Sequence, residues 1–355
     1  MTIYWLLFAF AAAMALAYPV RSEVQAHGPA QGLAFLVFLL AYFMIAMLRD
    51  EIGGDWVNYE EILKDMSQEG LADAVLRTDP LFGLLMWVSL QLGTGIYLVN
   101  GITALVLGYG TIRTAMLARE PWLAILIAVP YLLIVVGMGV VRQGAAIGMI
   151  LLAIVALVDG RVHKTIVCLA VAAAFHSTAS IVFPLFGYAL ARRNKLVALI
   201  LLAIGAIAFI LILAPRLESY QVGYIDAEFD SRGALVRVLM SFIPSALLLV
   251  RWRRFNAPER IRVVWLGIAL ANCLALAAFV FSPSSTAVDR MALYFSIIQI
   301  AVFGEIGAIS GMSQRSMFLV RIMVIVIAAA VQAVWLVFAA NAEYWVPYKS
   351  VLQNL

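Results

Sequence analysis

Apolar runs close to bilayer length recur from one end of this chain to the other, and that pattern leaves few folds open. They cover approximately Ile3–Val20, Gly32–Leu48, Ile96–Leu117, Trp122–Val141, Gln143–Val158, Thr165–Leu190, Leu196–Ala214, Ala234–Val250, Val263–Phe281, Met291–Ile309 and Phe318–Ala339, with a shorter run at Pro80–Leu92. A helix of about 20 apolar residues crosses a hydrocarbon core roughly 30 Å thick. Of the 355 residues, 65% are hydrophobic and only 12% are charged. A soluble domain carries about twice that charge, so polar groups here are too few to cover a water-facing surface. Strand-like alternation is absent, which argues against a β-barrel. The expectation is an all-α polytopic transmembrane helix bundle with about 11–13 membrane segments, some re-entrant or broken. No soluble domain separates from it, so residues 1–355 read as one transmembrane domain.

The first run ends in Ala15-Leu16-Ala17, which resembles a signal-peptide cleavage site. No Lys or Arg precedes it, so it is expected to be a retained helix. The net charge of +4 is small. On a membrane protein such a balance reports cytoplasmic loops, so no nucleic-acid partner is expected. Cys168 and Cys273 both sit inside apolar runs, which argues against a disulfide framework or a metal site.

Basic residues in short loops set the expected orientation. They are Arg113 with Arg119, Arg161 with Lys164, Arg192 with Arg193 and Lys195, the arginines from Arg251 to Arg262, and Arg315 with Arg321. All are expected in the cytoplasm. The segment from Arg49 to Asp79, with nine acids against three basic residues, then falls outside, as does the net-acidic loop Arg216–Arg232. Two consequences follow. Pro80–Leu92 is too short to span and reads as a re-entrant or interfacial helix that Asp79 starts. Thr165–Leu190, with basic clusters at both ends, reads as a broken hairpin turning near Phe175-His176-Ser177. Residues 49–95 thus form an outer loop with an amphipathic and a re-entrant helix. Tyr59, Ile62, Leu63 and Met66 supply the apolar face of the first, lying either on the membrane surface or on the protein's own outer face.

Polar residues inside or beside apolar runs are the informative ones, because hydrocarbon penalises them. Arg49 to Tyr59 follows directly on a spanning helix, and its Gly53-Gly54 pair permits a tight turn across which Arg49 and Asp55 can meet. An interfacial anchor built on Arg49, Trp56 and Tyr59 is the plainer reading. Arg142 interrupts the apolar stretch from Trp122 to Val158. Its guanidinium is permanently charged and forks onto phosphate oxygens. The alternatives are a snorkelling arginine or one paired with a carboxylate. His176 lies at the proposed hairpin tip and can accept a proton near neutral pH, or simply bond a carbonyl. Asp289 and Arg290 end a loop as an adjacent acid and base, which can be a local ion pair and nothing more. Glu305 sits alone in an apolar run, as a packing partner or a site residue.

Four blocks in order carry a resemblance: Arg49 through Tyr59, Val141-Arg142-Gln143-Gly144-Ala145, Ala174-Phe175-His176-Ser177 leading to Pro184, and Tyr344-Trp345-Val346-Pro347-Tyr348. In them the chain resembles the EpsG family of exopolysaccharide polymerases, relatives of the Wzy-type O-antigen polymerases. The resemblance implies a fold like that of the C superfamily of membrane glycosyltransferases. It also implies a place in the bacterial inner membrane, with the site on the non-cytoplasmic side. The implied substrate is an oligosaccharide on undecaprenyl diphosphate, and the glycan moves to the non-reducing end of a new lipid-linked unit. No cofactor and no metal are implied. A flippase and a chain-length regulator are the implied partners, besides the bilayer itself.

Such a transfer needs a proton acceptor and a counter-charge for the departing diphosphate. His176 or Asp55 suits the first, with Asp289 behind them. Arg142, helped by Arg49 and Arg290, suits the second. Trp56, Tyr59 and Trp345 are candidates to stack on sugar rings. A flippase of lipid-linked sugar fits intramembrane charges and broken helices as well, but must open to both sides. An O-antigen ligase shares the chemistry with a different acceptor. An enzyme-free assembly partner would tolerate changes at Arg142 and His176.

Overall fold

The computed structural model describes residues 1–18, 28–191, 195–208, 233–255, 257–281, 285–311 and 314–353. The expected loop Arg216–Arg232, the basic pair Arg192 and Arg193, and the start of the Ser282–Arg290 loop lie outside the described residues. Every regular element among the described residues is helical, and the β pairing is limited to an isolated bridge between Arg49 and Ser350. Among the described residues seven helices are long and apolar enough to cross a membrane, and five more are apolar but shorter.

Prolines mark several starts. Pro29, Pro80 and Pro121 each occupy the first turn of a helix, where the missing N–H has no intrahelical partner to lose. The order begins with α1 (Thr2–Ala17) and α2 (Pro29–Met47), followed by three short helices. These are α3 (Trp56–Met66), α4 (Leu71–Arg77) and α5 (Pro80–Gln91). Then come α6 (Gly95–Ala115), α7 (Pro121–Gly139, π-helical from Val129 to Val136) and α8 (Val141–Val158).

α7 is buried along its whole length, so it forms the axis of the bundle. α6 and α8 run parallel beside it. Leu107 lies against Gly144, and the Thr114 hydroxyl donates to the Leu151 carbonyl at 3.1 Å. Between them Gly110 and Gly148 let the two backbones touch: a Cβ on Gly148 would stand 2.6 Å from the Val106 carbonyl oxygen. Small residues at such crossings are how helices associate where lipid is as apolar as leucine.

The broken hairpin expected at His176 is present. α9 (Val162–Phe175) packs antiparallel on α8 and stops at His176, whose φ of −156° is extended. The chain resumes as α10 (Ser177–Leu190), 3-10 helical as far as Val182. It then turns back. Thr178 bonds Tyr294, and further along Leu185 lies against Gly267 of α13 (Glu259–Phe281). Trp265, beside Gly267, shares a cavity with Val158 at the far end of α8.

The remaining elements are α11 (Lys195–Ala208), α12 (Ala234–Arg251), α14 (Ser285–Ala292), α15 (Ile298–Gly304), α16 (Ile306–Ser310) and α17 (Gln314–Ala333). Two ends of the bundle differ in character. Leu117, Val158, Phe255, Pro258 and Glu305 meet around one cavity of about 420 Å³, so the loops carrying Arg119, Arg161 and Arg254 lie at a common basic end. At that end Glu305 accepts the Arg119 amide at 2.9 Å, and Arg321 Nη2 donates to both Glu120 carboxylate oxygens, at 2.8 and 3.0 Å. Glu305 is thus a packing partner. The opposite end is covered by α3, α4 and α5.

The amphipathic helix α3 packs on the protein and not on lipid. Trp56, Tyr59, Leu63 and Met66 are all buried, while Glu60, Glu61, Lys64 and Asp65 face out. The C-terminal segment closes over the same end. The Gly53 amide donates to the Tyr344 carbonyl at 2.9 Å, the Trp345 ring lies against Gly139, and Tyr4 donates to the Trp345 carbonyl at 3.0 Å.

Gly148→Leu is expected to force α6 and α8 apart and to cost about 1–3 kcal/mol, as overpacking does. Gly32→Ala, where a Cβ meets nothing within 4 Å, is expected to be neutral. Thermal unfolding of the two purified variants in one detergent checks the contrast.

Candidate functional site

The arginines at the covered end have different fates. Arg49 is 1% exposed. Its Nε donates to the Ile52 carbonyl at 3.0 Å, Nη1 to Ala46 at 3.0 Å and Nη2 to Asn100 Oδ1 at 2.7 Å. A planar fork saturated by fixed acceptors is a clasp that ties the end of α2 to α6. The expected meeting of Arg49 with Asp55 does not occur, because nearer backbone carbonyls take the guanidinium. Trp56 packs into this clasp, 5.9 Å from the Arg49 guanidinium and 4% exposed, so its ring is covered by protein. Trp345 is equally covered.

Arg142 stands at the start of α8 with its side chain 28% exposed. It lies over the Phe82 ring at 5.8 Å, and Phe82 in turn packs on Tyr59 at 5.3 Å. Its Nη1 is 3.3 Å from Asp79 Oδ2. The same oxygen is 2.9 Å from His176 Nδ1, and Asp79 Oδ1 accepts the Ser177 amide at 2.8 Å. Asp79 occupies the N-cap position of α5, as its place before Pro80 led one to expect, yet its side chain caps α10 instead. An orphan amide at a helix start is a natural partner for a carboxylate. One residue therefore holds the hairpin tip, the imidazole and the guanidinium together. Burial pushes the Asp79 carboxyl up, but its bonds to His176 and Ser177 outweigh that and hold it at about 2. It is therefore a carboxylate at any physiological pH.

Asp55 is fixed beside this group. Its amide donates to the Gly139 carbonyl at 3.2 Å and its Oδ2 accepts the Tyr59 hydroxyl at 3.2 Å. Gly53 makes that approach possible: its φ is +109°, and a Cβ there would fall 2.1 Å from the Met138 carbonyl oxygen. Burial first, and then the Asp55 carboxylate, push the Tyr59 hydroxyl well above its usual range, while Arg142 pulls the other way.

α14 joins from the other half of the chain. The Gln143 amide nitrogen donates to the Arg290 carbonyl at 2.7 Å, which sets the exposed Arg290 next to the start of α8. Asp289 turns from its neighbour and takes a forked pair from Arg237 of α12, at 2.8 and 2.7 Å. The reading of Asp289 with Arg290 as a local pair gives way to this one, because a forked guanidinium outcompetes the adjacent side chain. The Thr178 and Tyr294 hydroxyls bond at 2.8 Å across the same seam.

Thus Arg142, His176, Asp55 and Tyr59 are gathered at one end, with Asp289 and Arg290 joined through Gln143, while Arg49 and Trp56 form a separate buried clasp. Asp79, Phe82 and Arg237 are the residues that sequence reasoning did not assign to a site. The Asp79-Pro80 pair was the one available signal, and it reads equally well as an ordinary helix start.

A multi-pass helical protein that concentrates an arginine, an imidazole and carboxylates beneath a cover of short helices is a membrane protein with a polar site at one end of its bundle. A family model described as the EpsG family matches residues 32–350, nearly the whole length, and the chain belongs to that family. EpsG proteins are Wzy-like polymerases, which makes this chain a membrane protein of exopolysaccharide polymerisation. No curated protein and no solved structure matches it.

Asp289→Ala is expected to remove both forked bonds from the part-buried Arg237 and to lower stability by about 1–3 kcal/mol, below the full scale for breaking a buried pair. Arg290→Ala, an exposed side chain, is expected to leave stability within about 0.5 kcal/mol. Melting temperatures of the two neighbouring variants separate the roles.

Proposed function

We propose that this chain is a membrane glycosyltransferase of the polymerase type, acting at the non-cytoplasmic face of the bacterial inner membrane. It transfers a growing glycan from undecaprenyl diphosphate to the non-reducing end of a new lipid-linked repeat unit. One observation carries the reading. Arg142 at the start of α8 and His176 at the end of the shorter α9 both meet Asp79, at 3.3 and 2.9 Å. A fixed cation and a titratable imidazole at the same end of the bundle are what this substitution needs.

In the reaction an acceptor hydroxyl oxygen bonds the anomeric carbon of the donor sugar. The bond from that carbon to the diphosphate oxygen breaks, and the electron pair leaves with undecaprenyl diphosphate. The hydroxyl proton passes to His176, or to Asp55. Arg142 faces the growing diphosphate charge, with Arg290 beside it. Cations placed in advance at a partly dry site need little reorganisation as that charge develops. The buried Phe82 and Tyr59 rings back the Arg142 guanidinium from beneath.

The residues proposed for chemistry sit opposite the basic loops. Basic loops face the cytoplasm as a rule, which supports a site on the other side. A flippase would work with residues reachable from both ends. Against it stands the grouping of these residues at one end.

The test is conversion of lipid-linked repeat units to polymer by purified protein in detergent, where no compartment exists for transport. Wild-type protein is expected to elongate. His176→Ala is expected to slow transfer by about 10²-fold or more, the usual scale for a general base, with donor binding retained. Arg142→Lys keeps the charge but loses the fork, and is expected to reduce turnover about 10–100-fold at normal expression. Polymer of ordinary length and rate from either variant would remove that residue from the mechanism.

A further inference from the structure

Asp79 serves two partners unequally. His176 Nδ1 and the Ser177 amide are at hydrogen-bond distance, 2.9 and 2.8 Å, while Arg142 Nη1 stands off at 3.3 Å. The carboxylate is covered, whereas Arg142 keeps 28% of its side chain exposed. Nothing ties Asp79 to Arg142 as firmly as it is tied to the hairpin tip. A bidentate phosphate oxygen pair is a stronger partner for a guanidinium than a single carboxylate oxygen at this distance.

We infer that Asp79 is a positioning residue that hands Arg142 over to the substrate's diphosphate and, in doing so, turns its full charge on His176. This rests on the diphosphate donor argued above. Before the donor arrives, one carboxylate oxygen is shared by a guanidinium and an imidazole. When the diphosphate takes the guanidinium, the carboxylate is left with His176 and the Ser177 amide. A carboxylate bonded at Nδ1 fixes the tautomer with its proton there, so Nε2 is the acceptor nitrogen. Losing the competing cation strengthens the carboxylate's hold on the imidazolium that forms when Nε2 accepts the hydroxyl proton. The anion site and the base are thereby coupled: the imidazole reaches full basicity when the leaving group is in place. No covalent bond to the protein forms, and the proton ends on His176.

This predicts opposite movements that a merely structural role would not give. Asp79→Asn keeps the shape and an acceptor for the Ser177 amide, but it frees Arg142 and removes the counter-charge from His176. Farnesyl diphosphate serves as the probe, binding being measured by calorimetry on purified full-length protein in detergent. Asp79→Asn is expected to bind it about three- to tenfold tighter than wild type, a gain that disappears when Arg142→Gln is added. In the polymerisation assay the same variant is expected to lower both KM for the lipid donor and kcat. Unchanged or weaker probe binding by folded Asp79→Asn would overturn the inference.

Should that variant fail to fold, wild-type protein decides. With His176→Gln to assign its ring signal by nitrogen NMR, adding farnesyl diphosphate is expected to shift the His176 Nδ1 proton downfield. An unmoved signal at saturating probe would overturn the handover. Failure of wild type to elongate lipid-linked units would sink the polymerase reading alone, since the binding and NMR results judge the handover without turnover.

Discussion

A charge at membrane depth has only protein to bond to, and in this molecule that constraint sorts the arginines before any chemistry is considered. Arg49 satisfies it completely, with three nitrogens on three fixed acceptors. It has nothing left to offer a substrate, and it holds α2, the turn after it and α6 in one register. Arg321 meets it through one nitrogen, Nη2, on the buried Glu120 carboxylate at the basic end. Arg142 satisfies it only in part, with one carboxylate oxygen and the face of Phe82. Of these three, Arg142 is the one whose side chain stays partly exposed, and that leaves it capacity for an anion.

The cover over that end depends on contacts that only glycine allows. Gly53 brings its backbone onto Met138, and Gly139 leaves room for the Trp345 ring, whose Nε1 reaches the Ile134 carbonyl at 3.2 Å. The chain's last described segment thus packs on the end of its central helix, and the loop after α2 is trapped between them. Asp55 owes its place to this sandwich, since its amide is bonded to the Gly139 carbonyl. Residues separated by almost the whole length of the chain become one wall of the site.

Helix number and the break at His176 were readable, because both follow from where the apolar pattern is interrupted. Arg142 interrupts a run, and His176 sits between two basic clusters that a single crossing would put on opposite sides. Asp79 was readable only as a helix start. Its partners lie 97 and 98 residues away at His176 and Ser177, and nothing local distinguishes a carboxylate that caps its own helix from one that caps another. Asp289 misled for the converse reason. Adjacency to Arg290 is visible in sequence, whereas the fork from Arg237 exists only once α12 and α14 are packed. Trp56 and Trp345 read as rings that could stack on a sugar, but both are buried, and burial belongs to the tertiary structure and not to the residue type.

Three of the elements around Arg142 share one trait: they are too short to cross a bilayer. α5 has 12 residues and α9 has 14, each short of a full crossing, and α14 has only eight. A helix that stops short presents amide groups and a chain reversal at depth, which hydrocarbon forbids unless protein answers them. Asp79 answers the Ser177 amide and Gln143 answers the Arg290 carbonyl, so the polar groups that such endings require are the ones placed beside Arg142. The same shortfall that makes these helices poor membrane spans therefore creates a polar cluster. Its residues are positioned by the backbone groups they satisfy, and their geometry is set before any substrate arrives. Long spanning helices such as α7 could not supply this, because their backbone is already bonded within itself. They supply rigidity, and α8 adds Arg142 and Gln143 from its first turn, beside the truncated helices.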